Sequence, residues 1–435
     1  MSRVVVVGGG LGGTAAAARL AKLGHDVHLL ERAGALGGAL VPVRSGDLTW
    51  ESATASTTLP AVVRDLFRKS GRPLERELDL VPLAVPREHR FPDGSRVRLP
   101  TGSRAAQLEA LEGLGAGVGT AWVDHVAAYA PAWEALRRDL FERPWAPDLA
   151  TAEARDLLRS RTSLHRHLRR SLRDPRLRAL AAHPAVLGGH DLRAVPWWVG
   201  LETYVEQRSG TWTVPGGMHR LGEALADRLA TRRVTVSLGT AATDVVVRGG
   251  RAVAVATAAG EVDADVVVCA VDPRGLPTLA PHAARTTPAL PPVVAHVALD
   301  ATGLPDDAPP EVVVHGETTF VVRTGGQAPP GRAAWTVLGR GPVSEDLLRA
   351  LARVGVDLRE RVLERHDLSP LQAVQRWGGS PYGVLWQGRR SVTDRLGPRT
   401  PVPGVLACGA HATSGAGLPF VGLSAALVAE VVGPA

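Results

Sequence analysis

The sequence predicts an α/β fold, and three observations near its start carry the prediction. Val4–Val7 is a run of β-branched apolar residues, typical of a strand buried on both faces of a parallel sheet. Thr14–Leu23 is rich in alanine and ends at Gly24, as expected of a helix with a glycine cap. Val27–Leu30 reads as a second strand, with three apolar residues of four. Together they form the βαβ unit of a Rossmann-like domain.

Gly8, Gly10 and Gly13 form a G-x-G-x-x-G pattern between the first strand and the helix. Gly8 permits the tight turn, Gly10 lets a pyrophosphate approach the backbone, and Gly13 allows close packing of helix and strand. Glu31 follows Gly13 by 18 residues, at the end of the second strand, where a carboxylate can accept bonds from a ribose. The sequence therefore predicts a dinucleotide site.

Two features favour FAD over NAD. A second glycine pair, Gly37-Gly38, follows the acidic residue, and Gly404–Gly409 with Gly417 precedes a closing helix, Gly422–Val432. A chain that returns to the cofactor suits FAD, whose isoalloxazine ring lies far from its adenine. The binding residues predicted in the first stretch are Gly8, Gly10, Leu11, Gly12, Gly13, Glu31, Arg32, Gly37 and Gly38.

The remaining pattern is mixed. Helices are predicted at 59–70, through 103–184, near 215–229 and at 344–364. A hairpin is predicted at 91–99, strands at 234–236, 244–247, 252–256, 266–270, 312–314, 320–322, 334–338 and 404–408, and a proline-rich connector at 273–310.

Composition excludes several classes of protein. The formal charge is +7, but Lys22 and Lys69 are the only lysines, so the arginine excess reflects coding bias and nucleic-acid binding is not expected. Cys269 and Cys408 end apolar runs, so no metal site is expected and a reducing cytoplasm fits. Residues 3–18 imitate a signal peptide, yet their glycines favour the mature fold. No uncharged apolar run reaches ~18 residues, so no spanning helix is expected.

Several motifs resemble the phytoene desaturase-like branch of the FAD-dependent amine oxidase superfamily. They are the N-terminal glycine motif, "LPAVVRDLFRKSGRPLERELDLVPL" with "HRFPDGSRVRLP", "TWTVPGGMHRLGEAL", "VSLGTAATDVVVRGGRAVAV" with "ADVVVCAVDP", and "PVPGVLACGAHATSGAGLPFVGLSAALVAEVVG". The resemblance covers nearly the whole chain.

The resemblance implies a discontinuous flavin domain with an inserted α+β substrate domain. The implied boundaries are 1–70, 205–285 and 375–435 for the flavin domain, and 71–204 and 286–374 for the substrate domain. It also implies a contact between Ala242 and adenine, a wall near the flavin at Gly216-Gly217, and wrapping of the flavin by Gly409, Ala410, Gly417 and Leu418. Phe420 replaces a glycine common in relatives and narrows the space beside the flavin ring. The chain is also shorter than usual carotenoid desaturases, and both points argue against a forty-carbon polyene as the substrate.

In this class the flavin accepts a hydride at N5, so the role of the protein is to position the substrate and to keep water out of the site. His411 and Tyr382 are the candidate catalytic residues. The structural alternative for His411 is a loop histidine bonded to nearby backbone, and that for Tyr382 is core packing. Trp198, Tyr204, Trp212, Trp386 and Phe420 are candidate pocket residues, with core packing equally compatible.

We therefore expect an FAD-dependent dehydrogenase or desaturase of a largely apolar, isoprenoid-like molecule, with oxygen or a quinone as acceptor. The alternatives are an amine oxidase, a redox-neutral isomerase, or a non-catalytic lipid-binding protein like the Rab GDP dissociation inhibitors. The arginine- and leucine-rich segment 155–178 predicts either a solvated helical face, which is favoured, or peripheral contact with the inner face of a membrane.

Overall fold

A computed structural model of the protein describes residues 1–435, apart from the side chain of Arg389. In chain order the strands are β1 (Arg3–Val7), β2 (Asp26–Leu30), β3 (Val43–Ser45), β4 (Leu48–Trp50), β5 (Val81–Leu83), β6 (Arg87–Arg90), β7 (Arg96–Leu99), β8 (Thr211–Thr213), β9 (Thr235–Ser237), β10 (Ala242–Arg248), β11 (Arg251–Thr257), β12 (Gly260–Asp263), β13 (Val266–Cys269), β14 (Val293–Asp300), β15 (Glu311–Val314), β16 (Thr319–Arg323), β17 (Arg332–Arg340), β18 (Val362–Leu368) and β19 (Val405–Ala407). The α-helices are α1 (Leu11–Lys22), α2 (Pro60–Lys69), α3 (Arg104–Glu112), α4 (Val118–Ala127), α5 (Ala130–Leu136), α6 (Ala152–Arg159), α7 (Leu164–Ser171), α8 (Pro175–Leu187), α9 (Leu201–Ser209), α10 (His219–Thr231), α11 (Ala280–Ala283), α12 (Leu347–Arg353), α13 (Pro370–Trp377) and α14 (Leu418–Val432).

A five-stranded parallel sheet, in the order β19-β13-β1-β2-β9, forms the base of the molecule. Its central strand β1 is covered on both faces. Val4 and Val6 pack in one core with residues of α1, α10 and α14, whereas Val5 and Val7 pack in another with residues of β10 and β11. Burial on both faces explains why β1 is a continuous valine run, and the predicted Rossmann-like fold is confirmed.

A second, seven-stranded sheet has the order β18-β14-β17-β16-β15-β6-β7. Its pairs are antiparallel except for β15 with β6, which run parallel. At the β7 edge, Val97 and Leu99 pack into a helical core built largely from α4 to α9. This sheet and its helices form the predicted α+β part of the fold; the domain boundaries given above remain predictions.

Two predicted elements are wrong. The connector at 273–310 contains β14, which pairs with both β17 and β18. Pro291 and Pro292 precede the apolar run of this strand, and the next proline is Pro305, so the strand lies in a proline-free gap. The helix at 344–364 ends at Arg353. Gly355 has a φ of +88°, which a helix does not allow, and the residues from Val362 onward pair with β14 as an edge strand. Pairing with a neighbouring strand overrides the local helical pattern there.

The arginine-rich segment folds as α6, α7 and the start of α8. Five of its six leucines are at most 7% exposed and belong to the helical core: Leu158, Leu164, Leu168, Leu172 and Leu177. Leu157 is partly buried and packs against that core. The arginines on the opposite face are exposed, among them Arg159, Arg166, Arg169 and Arg170. The leucine face is therefore already buried in the protein. Among the described residues, no helix combines the length and the apolar character needed to cross a bilayer.

Candidate functional site

The glycine-rich turn after β1 has the geometry that its sequence predicts. Gly8 has a φ of +101°, and its N–H donates to Leu30 O at 2.8 Å, which fastens the turn to β2. A Cβ on Gly13 would lie 1.9 Å from Gly8 O, so only glycine permits this approach of helix to strand. The first N–H groups of α1, which begins at Leu11, have no intrahelical partner and carry the positive end of the helix dipole.

The second glycine pair packs directly on this turn. Gly37 has a φ of +117° and donates to Gly9 O at 2.8 Å. A Cβ on Gly38 would lie 2.9 Å from the Cα of Gly10. In contrast, a Cβ on Gly10 would meet only Gly38, at 4.0 Å, so the backbone there borders open space. The two glycine stretches thus form one cradle.

The end of the chain completes this cradle. β19 pairs with β13, and Gly409 then approaches α1 so closely that a Cβ on Gly12 would lie 2.8 Å from its Cα. The Gly409 N–H donates to Ser424 Oγ on α14 at 2.9 Å. Gly417 caps α14 with a φ of +95°, and the helix begins at Leu418. The first forty and last thirty residues therefore meet at one place.

Glu31 lies at the edge of the cradle and fixes the backbone around it. Its Oε2 accepts from the Gly9 N–H at 2.6 Å and its Oε1 from the Ala33 N–H at 2.7 Å. The neighbouring Arg32 donates to the carbonyls of Gln375 and Arg376, which ties α13 to the turn after β2. The carboxylate is thus held in place by backbone amides and still borders the cavity.

We expect Glu31→Ala to weaken FAD binding about 100-fold, or about 3 kcal/mol, since two charge-assisted hydrogen bonds and the predicted ribose acceptor are lost together. Titration of apoprotein with FAD, followed by quenching of flavin fluorescence, measures this. Asp26→Ala is the matched control, because Asp26 is an exposed acid at the start of β2, the strand that Glu31 follows. Equal affinity in Glu31→Ala and the wild type would contradict the role of the carboxylate.

A single cavity of about 870 Å³ runs from this cradle toward the seven-stranded sheet. Of the predicted cofactor-binding residues, those that line it are Gly8, Gly10, Leu11, Gly12, Glu31, Arg32, Gly37, Gly38, Ala242, Gly409, Ala410, Gly417 and Leu418. Gly13 is not in the lining because it packs against Gly8. The glycine cradle, the free helix N-terminus and the carboxylate suit a long nucleotide with a pyrophosphate, as FAD requires.

Trp386 and Phe420, predicted for the substrate pocket, line the same cavity. Four others predicted with them do not. The Trp198 ring stands edge-on to Trp386, with centroids 5.2 Å apart, and lies behind the wall. Tyr204 accepts a hydrogen bond from Arg208 through its hydroxyl. The remaining two are also engaged elsewhere: the Trp212 indole donates to Ser209 O and Gly216 O accepts from Gln327.

The candidate catalytic residues both reach the cavity. His411 Nε2 lies 3.4 Å from Asp272 Oδ2. Burial lowers the pKa of His411, against the attraction of Asp272, so the imidazole is neutral at pH 7 and able to accept a proton. The Tyr382 ring lies under the Arg340 guanidinium, with 5.4 Å to the centroid.

Sequence reasoning missed a buried arginine beside the loop 409–417. Arg395 stacks on Trp386 with its Cζ 3.6 Å from the ring centroid and donates to Val384 O at 2.7 Å. Its Nη1 has no partner in the described protein, and burial lowers its pKa to about 9. Nothing in the local sequence distinguishes it from many other arginines.

Sequence reasoning also missed the charged residues at the far end of the cavity: Arg87, Glu202, Glu206, Glu311 and Arg323. The four-residue spacing of Glu202 and Glu206 on α9 was the one available signal, because it places both on one helix face. Arg87 is far in the chain from Glu311 and Arg323, and the three side chains meet through strand pairing.

Comparison with known proteins agrees with this geometry. The family model described as flavin containing amine oxidoreductase matches residues 11–432. Hydroxyneurosporene desaturase of Cereibacter sphaeroides is 30% identical, over 99% of this chain and 97% of its own. Phytoene dehydrogenase of Streptomyces griseus is 28% identical, over 100% of this chain and 96% of its own.

Solved structures share the fold. An oxidoreductase from Methanosarcina mazei superposes with a TM-score of 0.67 at 16% identity, covering 98% of this chain and 100% of that protein. Putrescine oxidase bound to putrescine superposes with a TM-score of 0.64 at 16% identity, covering 99% of this chain and 98% of that protein. At such identities the likeness concerns the fold alone.

Proposed function

The chain belongs to the flavin containing amine oxidoreductase family, in its phytoene desaturase-like branch, and we propose that it desaturates a largely apolar, isoprenoid-like molecule. It is an FAD-dependent oxidoreductase. The observation that carries the proposal is one continuous cavity that joins the glycine cradle to a wall containing Trp386 and Phe420. Such a wall suits an apolar chain better than a small cation.

FAD, when bound, supplies the hydride acceptor. The residues proposed to hold it are those that line the cradle, with Glu31 at the ribose, Ala242 at the adenine and Gly409–Leu418 at the ring. Formation of a C=C bond removes a hydride from one carbon and a proton from its neighbour. We propose that the neutral imidazole of His411 takes this proton or that Tyr382 relays it, while Trp386 and Phe420 exclude water and position the chain.

The test is anaerobic bleaching of the flavin band by a panel of isoprenoids, carotenoids and amines. We expect an isoprenoid or carotenoid to bleach it at least tenfold faster than any amine, because an apolar wall desolvates an ammonium group at high cost. Bleaching by amines alone would establish the amine oxidase alternative instead, and protein that stays colourless after incubation with FAD would favour the lipid-binding one.

The acceptor of electrons is proposed to be oxygen or a quinone, which stopped-flow reoxidation of reduced enzyme distinguishes.

We further propose a cytoplasmic protein, since Cys269 and Cys408 are free and buried. Peripheral contact with an anionic membrane would use the exposed arginine face of α6 and α7. Flotation with anionic vesicles at low and high salt tests it, and absence of binding at both would exclude it.

A further inference from the structure

A buried positive charge lies behind the wall of the cavity at Trp386. Arg395 is only 5% exposed, and its guanidinium stacks on the Trp386 ring and donates to Val384 O. A Cβ on Gly415 would lie 3.0 Å from that ring and 3.3 Å from Arg395 Nη1, so the loop 409–417 packs on both side chains. Trp386 lines the cavity and Arg395 does not, so the guanidinium lies behind the ring.

No carboxylate in the described part of the chain neutralises this charge. The Nε and Nη1 of Arg395 are buried without a hydrogen-bond partner. The acid next to it in sequence, Asp394, pairs with Arg390, and Asp272 at the cavity pairs with Arg274. Burial lowers the pKa of Arg395 to about 9, so the guanidinium still carries its charge at pH 7.

An unpaired buried charge is a costly feature for a fold to retain. Removing an ion from water is unfavourable unless a counter-charge or a full set of hydrogen bonds replaces the water. Arg395 has one hydrogen bond, to Val384 O, and one stacked ring, which an uncharged side chain could largely reproduce. We therefore expect the missing negative charge to come from outside the polypeptide.

The charge is felt inside the cavity although the guanidinium does not reach it. Burial, then the charges of Arg395 and Arg340, lower the pKa of His190, which lines the cavity, to about 4. Arg340 is partly exposed, and solvent screens its charge, whereas Arg395 is enclosed by protein. A charge in such a medium acts over a longer range than one in water.

We propose that Arg395 raises the reduction potential of the bound flavin from behind the cavity wall. The inference rests on the proposed function, which places the flavin ring at Gly409–Leu418. Removal of a hydride from the substrate carbon adds one negative charge at the ring, while the proton of the neighbouring carbon leaves to His411 or Tyr382. A fixed cation favours that added charge, and the Trp386 ring keeps the surface that meets the substrate apolar.

The test is an anaerobic redox titration of FAD-loaded protein against a reference dye at pH 7. Arg395→Gln removes the charge and keeps an amide that can donate to Val384 O. At a fixed potential we expect its ratio of reduced to oxidised flavin to be about tenfold below that of the wild type, a shift of about 30 mV for two electrons. Arg399→Gln is the matched control, because Arg399 is exposed and close in sequence.

An unchanged potential in Arg395→Gln would overturn the proposal, even if the variant lost stability to urea, because a purely structural arginine alters stability and not the potential. If Arg395→Gln does not fold, Arg395→Met removes the same charge with an apolar chain that can pack on Trp386. The titration needs no organic substrate. A shifted potential in a protein whose flavin no isoprenoid bleaches would therefore contradict desaturation and still support the role of Arg395.

Discussion

Gly13→Ala is expected to yield a colourless protein that no longer retains flavin. The added methyl would lie 1.9 Å from Gly8 O and 3.2 Å from the Cβ of Ala270. A backbone carbonyl cannot yield as a flexible side chain does, so α1 must shift away from β1. Overpacking of this kind costs about 3 kcal/mol in stability, and the displaced amides lose their alignment with the pyrophosphate.

The ratio of flavin to protein absorbance after purification, with urea unfolding of apoprotein, measures both effects. We expect flavin affinity to fall by about 100-fold or more, the equivalent of about 3 kcal/mol. Gly325→Ala is the matched control, since a Cβ there meets nothing within 4 Å. Normal flavin content in Gly13→Ala would show that the turn tolerates the displacement and is not the phosphate cradle.

Acid is expected to destabilise the fold steeply between about pH 6.5 and pH 4. Burial, the main cause in each case, lowers the pKa of four core histidines: His125, His296 and His315 to about 4 and His183 to about 3. Between these pH values the four histidines bind protons in the unfolded chain but stay neutral in the native protein. The free energy of unfolding therefore falls as the pH falls, by about 1.4 kcal/mol per pH unit for each histidine.

Chemical unfolding followed by tryptophan fluorescence at pH 7, 6 and 5 measures this dependence. His296→Gln removes one titrating group and keeps a polar atom near Thr336. The slope of the free energy of unfolding against pH should therefore fall by the amount that one proton contributes. Replacing the exposed His282 is the control. A free energy of unfolding that is flat from pH 7 to pH 5 would show that these rings bind protons as readily in the folded protein as in the unfolded chain.

The flavin end of the molecule could be predicted from sequence because its determinants are local. A strand buried on both faces must be apolar throughout, and a close approach such as that of Gly13 to Gly8 O admits no Cβ. Each requirement leaves a mark in a few consecutive residues. Those marks predicted the cofactor, FAD, and the resemblance of the longer motifs predicted the enzyme class; the family confirms both.

The substrate end could not be predicted in the same way. Arg87 and Glu311 are 224 residues apart and meet only through the parallel pairing of β6 with β15. β14 lies in a proline-rich stretch, and β18 has a sequence pattern typical of a helix. Pairing with other strands decides the conformation of both. Trp198 and Trp212 showed that an aromatic residue near a pocket in sequence is as readily part of the supporting core as of the lining.

The joining of the two chain ends also sets when the enzyme can acquire its cofactor. Gly12 and Gly409 touch only after β19 has taken its place beside β13. A growing polypeptide on the ribosome therefore presents an unfinished nucleotide groove until β19 and Gly409 have emerged. Flavin can meet the finished groove only after those residues are made.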